Sequence, residues 1–405
     1  MRIEPIRYSK KIGSIIVTRL PIQKIMIPTF YQTHLKKQLP KAQFLVMTTL
    51  LSVMQSEKQV RLERLARVFP YPITTESRRR KLQRFLDSPN LTISLIWFPL
   101  ITYWLTTYCP IGTRLSIAID RSQWGCINLF MVSLIWERRA IPLYWSLLPK
   151  LGNSNFESQK TNLQQVLPLF LKYKVIVLGD REFCSVDLAN WLKEKGVSFC
   201  LRLKQNLCIE TEHLVWQRLD QLGIVPGTSL YFPGKRVRKT LPATGFALAC
   251  KWRRNSGKYQ VKEAWFILTD LCSLRAAINA YKQRMGLEEM FRDCKKGGYD
   301  IEGTSLKGNR LINMILVMTL AYSSAIFQGT ELKKKQVQKY VCRRKEPKKK
   351  YRRRSTFGVG LDGEKWVNYL EQYSDEVEQL MKLTPSKRRF YQQGMRAATL
   401  IHSIS

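Results

Sequence analysis

Between residues 114 and 203 the chain alternates segments of strand character with segments of helix character, and this order limits the folds open to it. The segments are, in chain order, 114–120, 127–136, 140–148, 155–173, 174–180, 185–196 and 197–203, the fourth and sixth being helical. Because only short turns separate the first three, they predict an antiparallel meander. The alternation that follows predicts a mixed sheet flanked by helices, which is an α/β fold.

The segments on either side of this unit differ in composition. Residues 41–110 show helical spacing of apolar side chains. Residues 205–262 are polar and rich in Pro and Gly, which predicts an inserted, mostly β subdomain that is not part of the sheet. The run 264–271 returns to core character, and residues 281–296 are good helix formers that predict one continuous helix.

The charge balance points to a polyanionic partner. Among 405 residues there are 68 Lys and Arg against 30 Asp and Glu, a net charge of +38, while 45% of the residues are hydrophobic and can form a core. Such an excess of positive charge is not needed for folding, and it favours nucleic acid, whose phosphates release counterions when they are neutralised. An anionic membrane surface is the less favoured alternative.

Several other classes are disfavoured. Nine scattered cysteines without a C-x-x-C pair, together with three isolated histidines, argue against a zinc site or a disulfide framework and suit the cytoplasm. The N-terminal residues lack the apolar stretch of a secretory signal. The uncharged run 91–108 is as long as a membrane span, but Pro99 interrupts it and a buried segment is the better prediction; the run 313–328 predicts a core helix.

Two basic segments are candidates for binding DNA. After helical residues 58–69 and a Pro-containing turn, a second short helix over 78–86, capped by Thr75 or Ser77, predicts a helix-turn-helix-like unit. Its basic residues are Arg78, Arg79, Arg80, Lys81 and Arg84. A solvated basic face on an ordinary helical region is an equally good interpretation. The block 331–355, with 13 Lys and Arg against 2 Glu, predicts a solvated arm that binds a polyanion.

Two aspartates each follow an apolar strand. Asp120 closes the run beginning at residue 114, and Asp180 closes the run beginning at residue 174. If these strands are adjacent and parallel, the two carboxylates lie side by side at the edge where open α/β sheets bind ligands. Either aspartate alone is as well explained as a turn or helix cap, but a neighbouring pair requires a compensating cation.

The predicted helix 281–296 has one polar face. At about 100° per residue, Tyr281, Arg284, Glu288 and Lys295 fall within an arc of about 60°. Glu289 lies about 100° from Glu288 and is expected to face solvent or fill space. A third carboxylate near the two aspartates would complete a site for two divalent metals. The alternative is a surface helix in which Arg284 and Glu288 form a weak ion pair.

These residues resemble a known family. The segment YKQRMGLEEMFRDCK fits the pattern Y-x-x-R-x-x-x-E-x-x-x-x-x-x-K with Tyr281, Arg284, Glu288 and Lys295 in the four fixed places. This is the signature of the IS-four family of bacterial insertion-sequence transposases, and the stretches AIDRSQW and VLGDREF resemble that family's two aspartate regions. The resemblance covers residues 58–328 and extends into the basic C-terminal region.

The resemblance implies a domain organisation. It predicts a ribonuclease-H-like catalytic core with a β-rich insertion between the second aspartate and the glutamate. The expected parts are a helical N-terminal DNA-binding region over 1–112, a catalytic core over 113–204 and 263–330, the insertion over 205–262, and a basic, helical C-terminal region over 331–405.

The resemblance also implies a chemistry. Asp120, Asp180 and Glu288 would hold two Mg²⁺ ions, with Mn²⁺ able to substitute, one activating water or a 3′-hydroxyl and the other stabilising the leaving oxygen. Arg284 and Lys295 would bind phosphates beside the cut, and Tyr281 would bind a neighbouring phosphate through its hydroxyl rather than act as a nucleophile.

The implied function is a cut-and-paste DNA transposase. It would pair the inverted repeats of its element as a homodimer on double-stranded DNA, cleave them and join the 3′ ends to target, in the cytoplasm at the nucleoid, with no membrane and no small-molecule substrate. A metal-dependent nuclease without joining and a non-catalytic basic nucleic-acid-binding protein are the alternatives.

Two departures concern a base-flipping step known among relatives. Some relatives have one Trp directly after the motif arginine and another in the insertion, which hold a flipped base. In this chain the residue after Arg284 is Met285. Trp216, Trp252 and Trp265 could supply a stacking surface, but such residues more often belong to the core or the sheet. Formation of a DNA hairpin therefore stays a hypothesis.

Overall fold

The computed structural model describes residues 27–210, 215–237, 243–254, 263–343 and 354–404. The N-terminal residues 1–26 lie outside these ranges. So do residues 344–353, which belong to the predicted basic arm, and parts of the predicted insertion, including Pro242 and Gly257.

Ten strands form one sheet. They are β1 Arg114–Trp124, β2 Ile127–Trp136, β3 Arg139–Leu147, β4 Lys174–Gly179, β5 Ser198–Arg202, β6 Cys208–Glu210, β7 Trp216–Arg218, β8 Ser229–Val237, β9 Ala243–Lys251 and β10 Trp265–Thr269. Their order across the sheet is β3-β2-β1-β4-β5-β10-β9-β8-β6-β7. β1, β4 and β5 are parallel, and the other pairings are antiparallel.

The first five strands confirm the predicted meander followed by alternating helices and parallel strands. Their order, β3-β2-β1-β4-β5, is that of a ribonuclease-H-like core, as the resemblance implied. β4 forms because KVIVLG is apolar, and five of its six residues are buried, as expected of a strand covered on both faces.

The prediction that residues 205–262 stand apart from the sheet is wrong. These residues are indeed rich in β structure, but β9 pairs along β10, which in turn pairs with β5, so the strands extend the core sheet. The polar composition of these residues suggested a separate subdomain because β8 is a largely exposed strand, and its sequence lacks the apolar run of a core strand.

Fourteen α-helices surround the sheet within the described residues. They are α1 Thr29–Gln38, α2 Lys41–Glu57, α3 Leu62–Val68, α4 Thr75–Leu86, α5 Phe98–Tyr108, α6 Phe156–Val166, α7 Val186–Glu194, α8 Leu274–Lys282, α9 Met285–Cys294, α10 Gly308–Lys334, α11 Gln338–Val341, α12 Thr356–Gln372, α13 Ser374–Leu383 and α14 Arg388–Ser403. Short 3₁₀ turns and one π turn, Ile93–Trp97, connect them.

The longest helix, α10, lies inside the fold, as predicted for the run 313–328. By length and composition alone it could cross a membrane, but 83% of its apolar 18-residue stretch is buried inside the protein. It packs against α2, α4, α12 and β3. The other suspected run, 91–108, forms the π turn and α5, where Pro99 is tolerated because it lies in the first turn.

Three local predictions need correction. The basic helix predicted over 78–86 begins at Thr75. Its N-cap is Thr74, whose Oγ1 accepts a 3.2 Å bond from the backbone N of Ser77. The helix predicted over 155–173 ends at Val166, because Pro168 cannot continue it and a 3₁₀ turn follows. The helix predicted over 281–296 is two helices, α8 and α9, separated at Gln283 and Arg284.

The beginning of the predicted basic arm is not a solvated tail. α10 runs to Lys334, and the side chains of Leu332 and Val337 are buried. With side chains of α12 and α14 they form a second, smaller hydrophobic cluster at the C-terminal end of the chain. Lys333 and Lys334, the first basic residues of the predicted arm, therefore belong to a helix that packs against the C-terminal helices.

Two glycines let α10 and α12 cross closely. A Cβ atom on Gly329 of α10 would lie 2.0 Å from the carbonyl oxygen of Thr356, and one on Gly360 of α12 would lie 1.9 Å from that of Ala325. Both opposing atoms belong to the backbone, so neither can move aside as a side chain could. The crossing therefore requires glycine on both helices.

Substitution of Gly360→Ala tests this crossing. We expect a loss of about 1–3 kcal/mol or more in the free energy of unfolding, because the added methyl group forces the two backbones apart. Gly394→Ala in α14 is the matched control: nothing lies within 4 Å of its Cβ position, so alanine should be neutral or stabilise by up to about 1 kcal/mol. Urea denaturation of both variants measures the difference, and equal stabilities would contradict the close crossing.

Candidate active site

The sheet places Asp120 and Asp180 side by side. β1 and β4 are adjacent and parallel, and their last paired residues are Ile119 and Gly179. Each aspartate follows directly, and each accepts a 2.8 Å bond from the next backbone N–H through Oδ1. One detail differs from expectation: β1 does not end at Asp120 but continues to Trp124 against β2.

The Arg284 guanidinium joins three carboxylates. Its Nη2 lies 3.2 Å from Oδ2 of Asp120 and 3.2 Å from Oδ2 of Asp180, and its Nη1 lies 2.9 Å from Oε1 of Glu288. The arginine side chain is 11% exposed, whereas that of Glu288 is 53% exposed. The two aspartates are thus held on the inner side of the cation, and the glutamate is held on the side facing solvent.

The break between α8 and α9 sets this geometry. Arg284 lies in the turn between the helices, and the N-terminal first turn of α9 contains Glu288. Tyr281, in the last turn of α8, is buried and donates its hydroxyl to Oδ1 of Asp180 at 3.2 Å. Burial and the Asp180 charge raise the pKa of Tyr281 further above its ordinary value, so this phenol stays protonated.

The two aspartates have opposite pKa shifts. Burial raises the pKa of Asp120, and the charge of Asp180 adds to this, against the opposing effect of Arg284. Burial also acts to raise the pKa of Asp180, but Arg284, the backbone N–H of Arg181, Arg202 and Tyr281 together lower it below its ordinary value. Asp180 is therefore the better stabilised anion of the pair.

Lys295 is not in contact with this group. Its Nζ forms a 2.8 Å ion pair with Oε1 of Glu302 and lies 5.5 Å from the ring centre of Phe291. As the residue that follows α9, it stands at the far end of that helix from Arg284. The structure thus brings together three of the four signature residues.

Glu289 has a structural partner, so the expectation that it faces solvent or fills space is wrong. Its Oε2 lies 3.3 Å from Nη2 of Arg139 on β3 and also contacts Arg292. Arg139, itself buried, has a second partner in Asp293 at 2.5 Å. Glu289 therefore helps to fasten α9 to β3, while Glu288 forms its ion pair with Arg284.

A second charged cluster adjoins the site, and the sequence did not predict it. Glu263 accepts bonds from Arg181 at 3.0 Å, from Arg202 at 2.7 Å and from Gln205 at 3.0 Å. Arg202 also reaches Oδ1 of Asp180 at 3.7 Å. The available signal was the position of Arg202 at the end of β5, the neighbour of β4, where it faces the same edge as the aspartates.

In the predicted DNA-binding helix α4, Arg78 has a structural role, whereas Arg80, Lys81 and Arg84 are exposed. Arg78 donates to the carbonyl oxygens of Phe69 and Tyr71 at 3.2 and 3.4 Å and so fixes the preceding turn. Arg79 and Arg80 share Glu76, whose pKa they lower to about 2. Lys81 lies 4.4 Å from the ring centre of Tyr71, and Arg84 is exposed.

The three tryptophans considered for base stacking lie in or beside strands. Trp265 of β10 is half-buried, with its ring edge-on to Tyr281 at a centroid distance of 5.1 Å. Trp216 is half-buried in β7, and Trp252, just after β9, packs against the core. Met285, directly after Arg284, is 54% exposed. Trp265 is thus the tryptophan in contact with a signature residue.

The donor types fit a hard divalent cation. Carboxylate oxygens are the ligands that Mg²⁺ prefers, and two of them lie at 3.2 Å from one nitrogen, so they are no further apart than twice that distance. Within the described ranges, no three His, Cys, Asp or Glu side chains are grouped closely enough to hold a metal. The guanidinium of Arg284 lies where the carboxylates converge, and metal binding requires it to move from between them.

The opposite pKa shifts predict opposite effects of charge removal. Because the raised pKa of Asp120 means that its ionised form is disfavoured by the fold, Asp120→Asn should raise the melting temperature at pH 7. The lowered pKa of Asp180 means that its charge stabilises the fold above pH 3.8. Asp180→Asn should therefore lower the melting temperature at pH 7. The stabilisation by Asp180 is lost as the pH falls through its folded pKa, so its effect should fade in acid. Changes of equal sign in the melting temperatures of the two variants at pH 7 would contradict the opposite pKa shifts of Asp120 and Asp180.

Part of the chain is similar to a known family of domains. Residues 156–324, less than half of the chain, match the family model described as transposase DDE domain. Asp180, Tyr281, Arg284, Glu288 and Lys295 lie within the match, and Asp120 precedes it. No curated protein matches the chain.

Among solved structures, one similar chain is that of a piggyBac transposase in a cryo-EM synaptic complex with hairpin DNA. It is 10% identical, the alignment covers 80% of this chain and 79% of that one, and the TM-score is 0.35. The match over residues 156–324 supports a transposase of the DDE family.

Proposed function

We propose that this chain is a DNA transposase of the IS-four type that binds the inverted repeats of its element, cleaves them with two divalent metal ions and joins the 3′ ends to target DNA. The carrying observation is the meeting of Asp120, Asp180 and Glu288 at one guanidinium, from two parallel strands and a helix. The family match over residues 156–324 supports the same class of reaction.

In this proposal the three carboxylates hold the metals. When bound, two Mg²⁺ or Mn²⁺ ions would supply Lewis-acid stabilisation of the attacking and leaving oxygens. Asp120 and Asp180 are fixed by the sheet and by their bonds to the next backbone N–H, so they form the rigid part of the ligand set. Glu288 is more exposed and can adjust to the substrate.

Arg284 and Lys295 bind phosphate oxygens in this proposal. In the structure Arg284 spans the carboxylates, so on DNA binding its guanidinium would exchange two carboxylate contacts for phosphate contacts of similar geometry. Lys295 would exchange Glu302 for a phosphate further along the strand. Tyr281 keeps its proton and donates it in a hydrogen bond, to Asp180 in the structure and to a phosphate in the DNA complex.

The remaining charge would serve binding to double-stranded DNA at the element ends and target. Within the proposed N-terminal DNA-binding region, 1–112, Arg80, Lys81 and Arg84 are the exposed cations of α4, and Arg79 is half-buried. We place the catalytic core in 113–204 and 263–330, the β-rich insertion in 205–262, and further DNA contacts in the C-terminal region, 331–405. A homodimer would pair the two ends in the cytoplasm, at the nucleoid.

The catalytic assignment predicts the effect of amide substitutions. Asp120→Asn, Asp180→Asn and Glu288→Gln should each lower Mg²⁺-dependent cleavage by about 10²-fold or more, because metal ligation supplies several kcal/mol of charge stabilisation. The adjacent Glu289→Gln is the matched control and should retain cleavage, since Glu289 bonds to Arg139 and Arg292 instead. Cleavage is measured on labelled duplexes carrying the element ends, with DNA binding followed separately by gel shift.

The same assay separates the alternatives. DNA binding without Mg²⁺-dependent cleavage, unchanged by the three substitutions, would indicate a non-catalytic basic DNA-binding protein. Cleavage without covalent joining of 3′ ends to a target plasmid would indicate a nuclease. Trapped cleavage products also test the hairpin hypothesis. If all of them are open, nicked ends, the reaction has no hairpin step.

A further inference from the structure

A polar cavity lies away from the carboxylates, between α2 of the N-terminal region and α12 of the C-terminal region. Its polar lining includes Ser52, Gln55 and Ser56 on α2 and Glu364, Lys365, Asn368 and Gln372 on α12. Its volume of about 160 Å³ accommodates an ion with several waters, since one water needs roughly 10–15 Å³ by this measure. The cavity is thus large enough for a small hydrated ligand.

Three acceptor oxygens of this cavity have no donor among the residues that the structure describes. They are Oε1 of Gln55, Oε2 of Glu364 and Oδ1 of Asn368, and all three atoms are buried. Gln55 is 4% exposed and Glu364 is 5% exposed. Since an unpaired buried acceptor costs about 1–3 kcal/mol, three in one cavity indicate a missing partner that donates or carries positive charge.

The direction of the Gln55 amide is fixed. Its Nε2 donates a 3.2 Å bond to the carbonyl oxygen of Ala321 on α10. A carbonyl can only accept, so the amide cannot be turned round without losing this bond. Oε1 is therefore the atom that remains without a partner in the cavity lining.

No basic side chain of the described residues neutralises Glu364. Burial alone raises the pKa of its carboxyl to about 8, with no contribution from a neighbouring charge. The nearest basic residue in the lining, Lys365, is exposed and directs its Nζ to the ring of Tyr369, at 5.7 Å from the ring centre. The carboxyl thus lacks a cationic partner in a chain whose net charge is +38.

We infer that this cavity is a binding site for a small cation of single charge, either an alkali-metal ion or a primary ammonium group, held by Gln55, Glu364 and Asn368. Once Glu364 has lost its proton, its carboxylate and two neutral amide oxygens supply one negative charge and hard oxygen donors, which match one positive charge. The ligand would join α2 to α12 and, through Ala321, to α10. This inference is independent of the proposed function, because none of these residues belongs to the carboxylate site.

The test is a cation-specific change in thermal stability. The full chain is melted in buffers of constant ionic strength in which tetramethylammonium, which cannot donate a hydrogen bond and whose charge is shielded by four methyl groups, is replaced stepwise by K⁺, Na⁺ or methylammonium. We expect a saturable rise in melting temperature of at least about 2 °C, because a ligand that binds only the folded state stabilises it. A response to methylammonium alone identifies the ammonium group as the ligand, and a response to K⁺ or Na⁺ identifies the metal ion.

Variants tie the response to the cavity. Glu364→Gln keeps the shape of the side chain but removes its charge, and should abolish the cation-specific rise or weaken its midpoint at least about tenfold. Asn368→Leu should weaken it as well, and this variant serves if Glu364→Gln does not fold. Glu376→Gln, an exposed position in α13, makes the same change of charge outside the cavity and should leave the response intact.

Direct binding is followed by ²³Na line broadening of the unaltered protein. Broadening that is displaced by K⁺ or methylammonium supports the site. Equal melting temperatures in tetramethylammonium and in every smaller cation, or an unchanged response in both Glu364→Gln and Asn368→Leu, would overturn the inference. A response to Mg²⁺ with none to monovalent cations would also overturn it.

Discussion

The contact of one arginine with three acids organises the centre of this protein. Asp120 and Asp180 are brought together by parallel pairing of β1 and β4, and two neighbouring carboxylates in a largely buried position repel one another. Arg284 offsets this repulsion with two contacts of 3.2 Å and binds Glu288 as well. The charge balance of the site thus depends on a single guanidinium.

The rest of the architecture holds these groups at fixed positions. α10 fills the space between the sheet, the N-terminal helices and α12, and its crossing with α12 is close enough to demand Gly329 and Gly360. α9 is fastened to β3 by the buried side chain of Arg139, which bonds both Glu289 and Asp293. Polar contacts therefore position the helix that carries Glu288, while apolar packing fixes the scaffold behind it.

The sequence predicted those features that rest on short-range patterns. Apolar runs ending in Asp120 and Asp180 predicted the strands and, through their parallel pairing, the proximity of the two carboxylates. Features that depend on contacts distant in the chain were not predictable: the pairing of Glu289 with Arg139, the contact of Arg202 with Asp180, and the extension of the sheet through β10. The break at Gln283 was also missed, because good helix formers on both sides hide an interruption imposed by tertiary packing.

The interruption between α8 and α9 has a mechanical consequence. α8 packs on β4, β5, β8, β9 and β10, whereas α9 packs on β2 and β3, so the two helices rest on opposite halves of one twisted sheet. Arg284 occupies the joint between them. A change in the twist of the sheet would therefore alter the separation of Tyr281 and Glu288. The geometry of the site is thus coupled to the conformation of the strands beneath it.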